Sequence, residues 1–302
     1  MIKALFKSKT EALIAGSIML VGVAAFVANV AADPVATSVT VANAAPSVSA
    51  TTLNNATPIT LTEFTTTPVY ATTTVTDANG CATIVGVSAD FYRSGIASTS
   101  CAAAGNANQN NCYPVVTCNV VAGTCTGGAD TSADYVCSTS LQYFADPTDA
   151  GTYVAENWVA NIHAGDGIAT TSATGATELN TLKALNVTAA MNYGNLAAGS
   201  NTGTTNSTTT VTNTGNSIMD PLISGTDMTG PATITVGNQK YASSSFNYPV
   251  AGTVLSTTPT AAAINLAKPT GSAVTSNVLW GINVPNGTLS GAYTGTNTFT
   301  AN

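Results

Sequence analysis

The chain has 302 residues, of which 7 are Lys or Arg, 14 are Asp or Glu and one is His, so its formal net charge is −7. Charged residues make up 7% of the chain, against roughly 25% in an average soluble domain, and 53 residues are threonine. A hydrophobic fraction of 44% with so little charge excludes a disordered chain. The lack of a basic cluster after the first nine residues excludes nucleic acid and anionic membrane surfaces as partners.

Residues 1–32 have the pattern of an export signal. Three lysines within the first nine residues precede an apolar run over residues 12–32, which ends in the small residues Val30-Ala31-Ala32. This pattern predicts a secretory signal peptide. The run is also long enough to cross a membrane, so an uncleaved signal anchor, with residues 12–32 as the membrane contact, is the alternative. Both readings place the rest of the chain outside the cell or at the cell surface.

Residues 33–45 form the next predicted element, an extended segment. Val35, Val39 and Val41 lie at alternate positions, which puts them on one face of a strand. We therefore predict a donor strand that completes the open sheet edge of a neighbouring subunit. The alternatives are a flexible linker or the first strand of the domain that follows.

Residues 46–169 predict an antiparallel β-sandwich. Apolar and polar residues alternate along 69–75, 85–91, 135–143 and 154–162, and Gly, Asn, Asp and Pro separate these segments. The second half of the chain has no apolar pattern that predicts a long helix.

All six cysteines lie in this first region, between positions 81 and 137. An even number of cysteines in an exported chain predicts disulfides, and neither Cys-x2-Cys pairs nor clustered histidines support a metal site. The Gly-, Asn- and Ala-rich stretch 101–125 favours local pairs. The predicted disulfides are Cys101–Cys112, Cys118–Cys125 and Cys81–Cys137, the last joining two strands.

Residues 170–177 are rich in Gly, Ala, Thr and Ser and predict a linker to a second sandwich at 178–302. In that second region alternation is clearest along 278–284 and recurs along 185–191 and 293–299. The predicted fold is all-β, with two tandem sandwiches after an N-terminal apolar helix.

Short segments of both regions are similar to known surface domains. Residues 43–48 (NAAPSV) resemble the opening strand, and residues 158–162 (WVANI) the closing strand, of Ig-like and PKD-like repeats. Residues 210–216 (TVTNTGN) resemble a hairpin of the same domains. The chain is thus similar to prokaryotic, bacterial or archaeal, cell-surface proteins with Ig-like or PKD-like β-sandwich domains. The resemblance implies an Ig-like fold and a surface location; such domains serve as spacers, adhesins and polymer subunits alike.

No catalytic set is apparent in the sequence. The single histidine, His163, has no identifiable nucleophile or orienting acid, and no phosphate loop or metallohydrolase motif occurs. We therefore predict no enzyme activity and no organic cofactor.

Two further kinds of site are predicted from turns and sequons. Calcium is the one candidate ion, held by oxygen ligands in turns; the alternative is that these side chains cap the turns. Its candidate ligands are Asp77, Asn79, Asp146 and Asp149. Acceptor sequons for N-glycosylation begin at Asn55, Asn186, Asn206 and Asn286.

The first functional hypothesis is a non-enzymatic, self-assembling subunit of an S-layer or extracellular filament, because low surface charge lets identical copies pack closely. Its predicted partner is a second copy of the chain. The alternative is an adhesin or glycan-binding module whose contact surface is the disulfide-stapled loops 95–130, with a surface glycan as partner.

Overall fold

A computed structural model describes residues 35–102, 108–188 and 190–302. The chain divides into two units, Met1–Ala42 and Asn43–Asn302. In the first unit, residues 35–42 are exposed and have no regular secondary structure. The predicted signal peptide or anchor at residues 1–32 lies outside the described residues. In the part of the chain that is described, no helix is both long and apolar enough to cross a membrane.

The second unit begins with a seven-stranded antiparallel sheet in the order β1-β2-β5-β4-β3-β6-β7. Its strands are β1 (Ser47–Leu53), β2 (Thr66–Thr76), β3 (Gly86–Arg93), β4 (Cys112–Val120), β5 (Ser132–Gln142), β6 (Trp158–Gly165) and β7 (Thr170–Thr177). In the described parts of the connections there are a short helix, α1 (Ser98–Ala102), and 3-10 turns at Asn54–Ala56, Cys81–Thr83 and Gly151–Tyr153. Many strand residues are threonine or valine, whose branched Cβ atoms favour extended backbone.

The first hydrophobic core lies against this sheet. Trp158, Ala160 and Ile162 of β6 are fully buried, as their alternation in the sequence predicts. Phe91 of β3 and Leu141 of β5 belong to the same core. The indole Nε1 of Trp158 donates to the main-chain oxygen of Asp146 at 2.8 Å, so the largest core side chain has its polar atom satisfied.

The predicted linker at 170–177 is wrong, because these residues are strand β7, paired with β6 along its whole length. The other edge strand, β1, comes close to β7. A Cβ added at Gly175 would lie 2.8 Å from the main-chain oxygen of Thr51. Beyond this point Ile59 and Leu179 form a parallel bridge. The two edges of the sheet therefore approach each other closely around Gly175.

The remaining strands are shorter and belong to three antiparallel sheets. A five-stranded sheet has the order β14-β13-β16-β9-β8, a three-stranded sheet has the order β15-β10-β17, and β11 pairs with β12. The strands are β8 (Leu185–Val187), β9 (Ser207–Asn213), β10 (Leu222–Gly225), β11 (Met228–Thr229), β12 (Thr233–Ile234), β13 (Gln239–Ala242), β14 (Thr253–Val254), β15 (Thr260–Ala261), β16 (Val274–Ile282) and β17 (Asn297–Thr300), with a 3-10 turn at Val236–Asn238.

A second hydrophobic core lies between these sheets. Trp280 and Val278 of β16 are fully buried, and Trp280 packs against Tyr241 of β13 and Phe299 of β17. The all-β class is confirmed, and the sheets are antiparallel as predicted. The division into two independent Ig-like sandwiches stays a prediction, because residues Asn43–Asn302 form one compact unit.

Hydrogen bonds connect the two halves of this unit, residues 43–177 and residues 178–302. The main-chain N–H of Phe64 donates to the oxygen of Thr214 at 3.2 Å, and Nδ2 of Asn110 donates to the main-chain oxygen of Thr270 at 3.0 Å. Thr214 is 2% exposed and Asn110 is 8% exposed, so both contacts involve buried residues. The halves are therefore joined by specific polar contacts as well as by the chain itself.

Candidate functional site

Three disulfides fix the region between β3 and β5. Cys101 pairs with Cys112, which is the local pair expected from the sequence. The predicted pairs Cys81–Cys137 and Cys118–Cys125 are wrong: the structure pairs Cys81 with Cys125 and Cys118 with Cys137. Strand register is the reason, since Cys118 of β4 lies directly opposite Cys137 of β5. Each of the three disulfides has at least one cysteine in residues 101–125.

Two of the predicted calcium ligands form a turn at the end of β2. Oδ1 of Asp77 accepts the N–H of Asn79 at 2.8 Å, and Oδ1 of Asn79 accepts the N–H of Ala44 at 2.6 Å. Asp77 is 1% exposed, and its Oδ2 has no hydrogen-bond partner among the described residues. No group of three or more His, Cys, Asp or Glu side chains in the described ranges could hold a metal ion. A calcium site at this turn stays a prediction.

The other two predicted calcium ligands are engaged by the protein itself. Oδ1 of Asp149 accepts the N–H and the hydroxyl of Thr181 at 2.8 and 2.6 Å. The carboxylate of Asp146 is 3.0 Å from Nζ of Lys268 and 3.2 Å from Nε of Arg93. Asp146 is therefore the acid of an ion-pair cluster, and its two oxygens face two basic side chains.

The predicted glycosylation sites differ in access. Asn55, Asn186 and Asn286 are exposed. At Asn206 the side-chain nitrogen that would carry the glycan is buried, while Oδ1 accepts the N–H of Phe246 at 3.0 Å. Glycosylation at these four sequons stays a prediction.

The predicted donor strand is accessible. Val35, Val39 and Val41 are 83%, 88% and 77% exposed. These three positions are separated by even numbers of residues, so in an extended chain the valines would lie on one face. The segment has no regular secondary structure that would have to unfold before it could be added to a sheet edge.

A cluster that the sequence did not indicate lies where the halves meet. Arg93, at the end of β3, is 6% exposed and bonds to Asp146 and to Glu156, and its guanidinium lies 3.6 Å from the ring centroid of Tyr153. Lys268 reaches the same Asp146 from the second half. The cluster therefore contains two basic side chains, Arg93 and Lys268, and two acidic ones, Asp146 and Glu156. These are four of the 21 Lys, Arg, Asp and Glu residues in the chain.

Burial shifts the pKa of Lys268 in this cluster and of Tyr113 beside it. Burial lowers the pKa of the Lys268 amine, while the adjacent carboxylate of Asp146 acts in the opposite direction. Burial also raises the pKa of Tyr113 to about 12, with Asp146 adding to the shift. The Lys268 side chain is 21% exposed, so burial removes most but not all of the water that would solvate its charge.

No protein-family model matches the chain, and no curated protein matches it in sequence. One solved structure that is similar to the chain is AggA, the major subunit of aggregative adherence fimbriae type I from Escherichia coli. The identity is 15% and the TM-score 0.23, over 46% of this chain and 97% of AggA. A likeness at this level carries no argument about fold or function.

Proposed function

We propose that this chain is an exported, non-enzymatic structural protein of the cell surface that assembles with copies of itself into an S-layer or an extracellular filament. The observation that carries the proposal is the exposed segment 35–42, with three alternating valines ahead of a compact β unit. Three disulfides support the extracellular location, because such bonds persist in oxidising compartments.

The mechanism of assembly in this proposal is strand addition. The valine face of the segment covers apolar surface on a neighbouring copy, while its main chain pairs with an open sheet edge. The second half has several short edge strands, among them β8, β14 and β17. A net charge of −7 on 302 residues opposes the approach of copies only weakly.

The test introduces charged residues on one face of segment 35–42 at a time. Val39→Asp combined with Val41→Asp puts two charges on the valine face and is expected to abolish assembly, because a charge cannot be buried against apolar surface without a partner. The matched control, Ser38→Asp with Thr40→Asp, adds the same charge to the opposite face and is expected to retain assembly. Sedimentation velocity measures both.

A deletion of residues 33–42 complements these variants. It stops before Asn43 and Ala44, whose hydrogen bonds to Asp166 and Asn79 belong to the compact unit. Assembly that is unchanged by this deletion contradicts strand addition.

The disulfide-bonded region 95–130, which contains α1 and β4 as well as loops, is the observation that favours a second candidate function, an adhesin or glycan-binding module. All three disulfides tether this region and restrict its chain before a ligand arrives, so binding costs less entropy. A monomeric protein that binds a glycan array, and loses that binding when the loops are shortened, distinguishes this function from self-assembly.

A further inference from the structure

A carboxylate, an imidazole and a side-chain amide lie together on the outer face of the first sheet. Strands β3 and β6 pair so that Asp90 is opposite Asn161 and Ser88 is opposite His163. Residues 87, 89 and 91 of β3 and 160, 162 and 164 of β6 are buried in the core, which places the alternate residues on the other face. We propose that Asp90, His163 and Asn161 bind one divalent transition-metal ion of the zinc type.

The separation of the two titratable side chains suits a shared ion. Nε2 of His163 is 3.3 Å from Oδ2 of Asp90, whereas a charge-assisted hydrogen bond is about 2.7–2.9 Å long. Zinc lies about 2.1 Å from a histidine nitrogen or a carboxylate oxygen, so two such ligands at a tetrahedral angle are about 3.4 Å apart. Nε2 and Oδ2 can therefore bind the same ion with little movement of either side chain.

The main chain of β4 fixes the carboxylate. The N–H of Val115 donates to Oδ1 of Asp90 at 2.8 Å, and Oδ2 faces His163. Donors behind a metal-binding carboxylate orient it in this way and leave the second oxygen for the ion. Asp90 is 5% exposed, and a carboxylate this buried requires a positive group beside it. A divalent ion supplies two charges where a histidine supplies at most one.

Asn161 provides an independent observation that points to a ligand. It is 8% exposed, and its Oδ1 is buried with no hydrogen-bond partner among the described residues. Leaving a buried acceptor without a partner costs free energy, and the large majority of such atoms in native proteins have one. Paired residues on neighbouring strands have Cβ atoms about 5 Å apart, so an ion on Oδ2 of Asp90 is within reach of the amide oxygen.

The donor set selects the class of ion. An imidazole nitrogen favours zinc and its neighbours in the first transition row, whereas oxygen ligands alone favour magnesium or calcium. Two of the three ligands are His or Asp and the third is an amide, which agrees with the absence of any group of three His, Cys, Asp or Glu side chains in the described ranges. The site is therefore distinct from the calcium ligands predicted from the sequence.

An open cleft gives access to the ion. Three protein ligands leave one position of a tetrahedral ion for water or another donor. Ser88 and His163 line a cleft of about 440 Å³ on this face of the sheet, together with Thr117 of β4. The His163 side chain is 34% exposed, so it can turn to admit the ion while the buried Asp90 stays in place.

The ion would hold β3 to β6 by their side chains in addition to the main-chain ladder. A ligand that binds the folded chain alone stabilises it in proportion to the logarithm of its concentration, so zinc is expected to raise the midpoint of thermal unfolding. None of the three ligands belongs to segment 35–42. The proposal therefore stands whether or not the chain assembles into a polymer.

The test is equilibrium dialysis of the full chain against zinc chloride, after purification without a histidine tag and removal of metals with EDTA. One zinc ion per chain is expected, and excess calcium is expected not to displace it, because calcium prefers a shell of oxygen ligands. His163 is the one histidine in the sequence, so the histidine ring signals in the NMR spectrum report on this site alone. Zinc is expected to shift them. A chain that binds no zinc, or whose ring signals do not respond to it, overturns the proposal.

Substitution of the two titratable ligands locates the ion. His163→Gln and Asp90→Asn are each expected to weaken zinc binding at least about tenfold, while the circular dichroism spectrum is retained. Asp134→Asn is the matched control, because Asp134 is an exposed acid on β5 whose Oδ1 accepts the hydroxyl of Thr74. Its zinc affinity is expected to equal that of the unmodified chain. Zinc affinity that survives both ligand substitutions, or that falls as far in the control, contradicts the site.

Two changes at Asn161 test the third ligand. Asn161→Asp places a second carboxylate beside Asp90 and is expected to tighten zinc binding about tenfold, while like-charge repulsion lowers the thermal stability of the zinc-free chain. Asn161→Ala adds no charge and is expected to weaken binding. Zinc affinity that is unchanged in Asn161→Ala, or weaker in Asn161→Asp, contradicts coordination by the amide oxygen.

Discussion

At the scale of single residues, the protein concentrates its few charges. Arg93, Asp146 and Lys268 are mostly buried, and each contacts at least one group of opposite charge. Such a cluster adds little net stability when complete, because desolvation offsets the Coulomb attraction, but removing one member leaves a buried charge without compensation. The cluster therefore specifies how the halves meet more than it strengthens them.

We predict that Arg93→Met destabilises the fold by about 3 kcal/mol, because Asp146 loses a buried partner. Glu156→Gln is expected to cost less than about 1 kcal/mol, since the Glu156 side chain is 24% exposed and water can replace part of the interaction. Urea unfolding of both variants measures the difference. Equal losses would show that burial of the cluster does not determine its energetics.

The sequence alone does not predict the ion-pair cluster around Asp146. Asp146 was predicted as a calcium ligand because acidic residues in turns are typical of such sites, and nothing near it in the sequence is basic. Its partners come from residues 93 and 268, which only the tertiary fold brings together. By contrast, the burial of Trp158 and Trp280 was predictable, because alternation is a local pattern.

At the scale of elements, strand register explains why two of the three predicted disulfides are wrong. Cysteines near each other in sequence were expected to pair, but β4 places Cys118 opposite Cys137, and Cys125 is then left for Cys81. Residues 170–177 have the composition of a linker, yet threonine is common throughout this chain and favours strands. Composition alone cannot separate a linker from an edge strand here.

The approach of β1 to β7 gives an element-scale prediction. Gly175→Ala is expected to destabilise by about 1–3 kcal/mol, because the new methyl group would meet main-chain atoms of Thr51 and Thr52 that cannot move independently. Gly86→Ala in β3 is the matched control, since nothing lies within 4 Å of its Cβ position. Thermal unfolding compares them, and equal stabilities would contradict close packing of these edges.

At the scale of the whole molecule, residues 43–302 form a compact β unit with two hydrophobic cores and polar contacts between its halves. Residues 35–42 precede it with their valines exposed. The proposed strand addition requires a folded unit and an accessible apolar segment, and both are present in this chain. This is the reason for placing self-assembly ahead of glycan binding.

Negative-stain electron microscopy of residues 33–302 at raised concentration, with and without calcium, tests self-assembly most directly. The account predicts regular sheets or threads, and assembly that requires calcium would assign a role to the turn at Asp77 and Asn79. Dispersed single particles under both conditions would contradict the account.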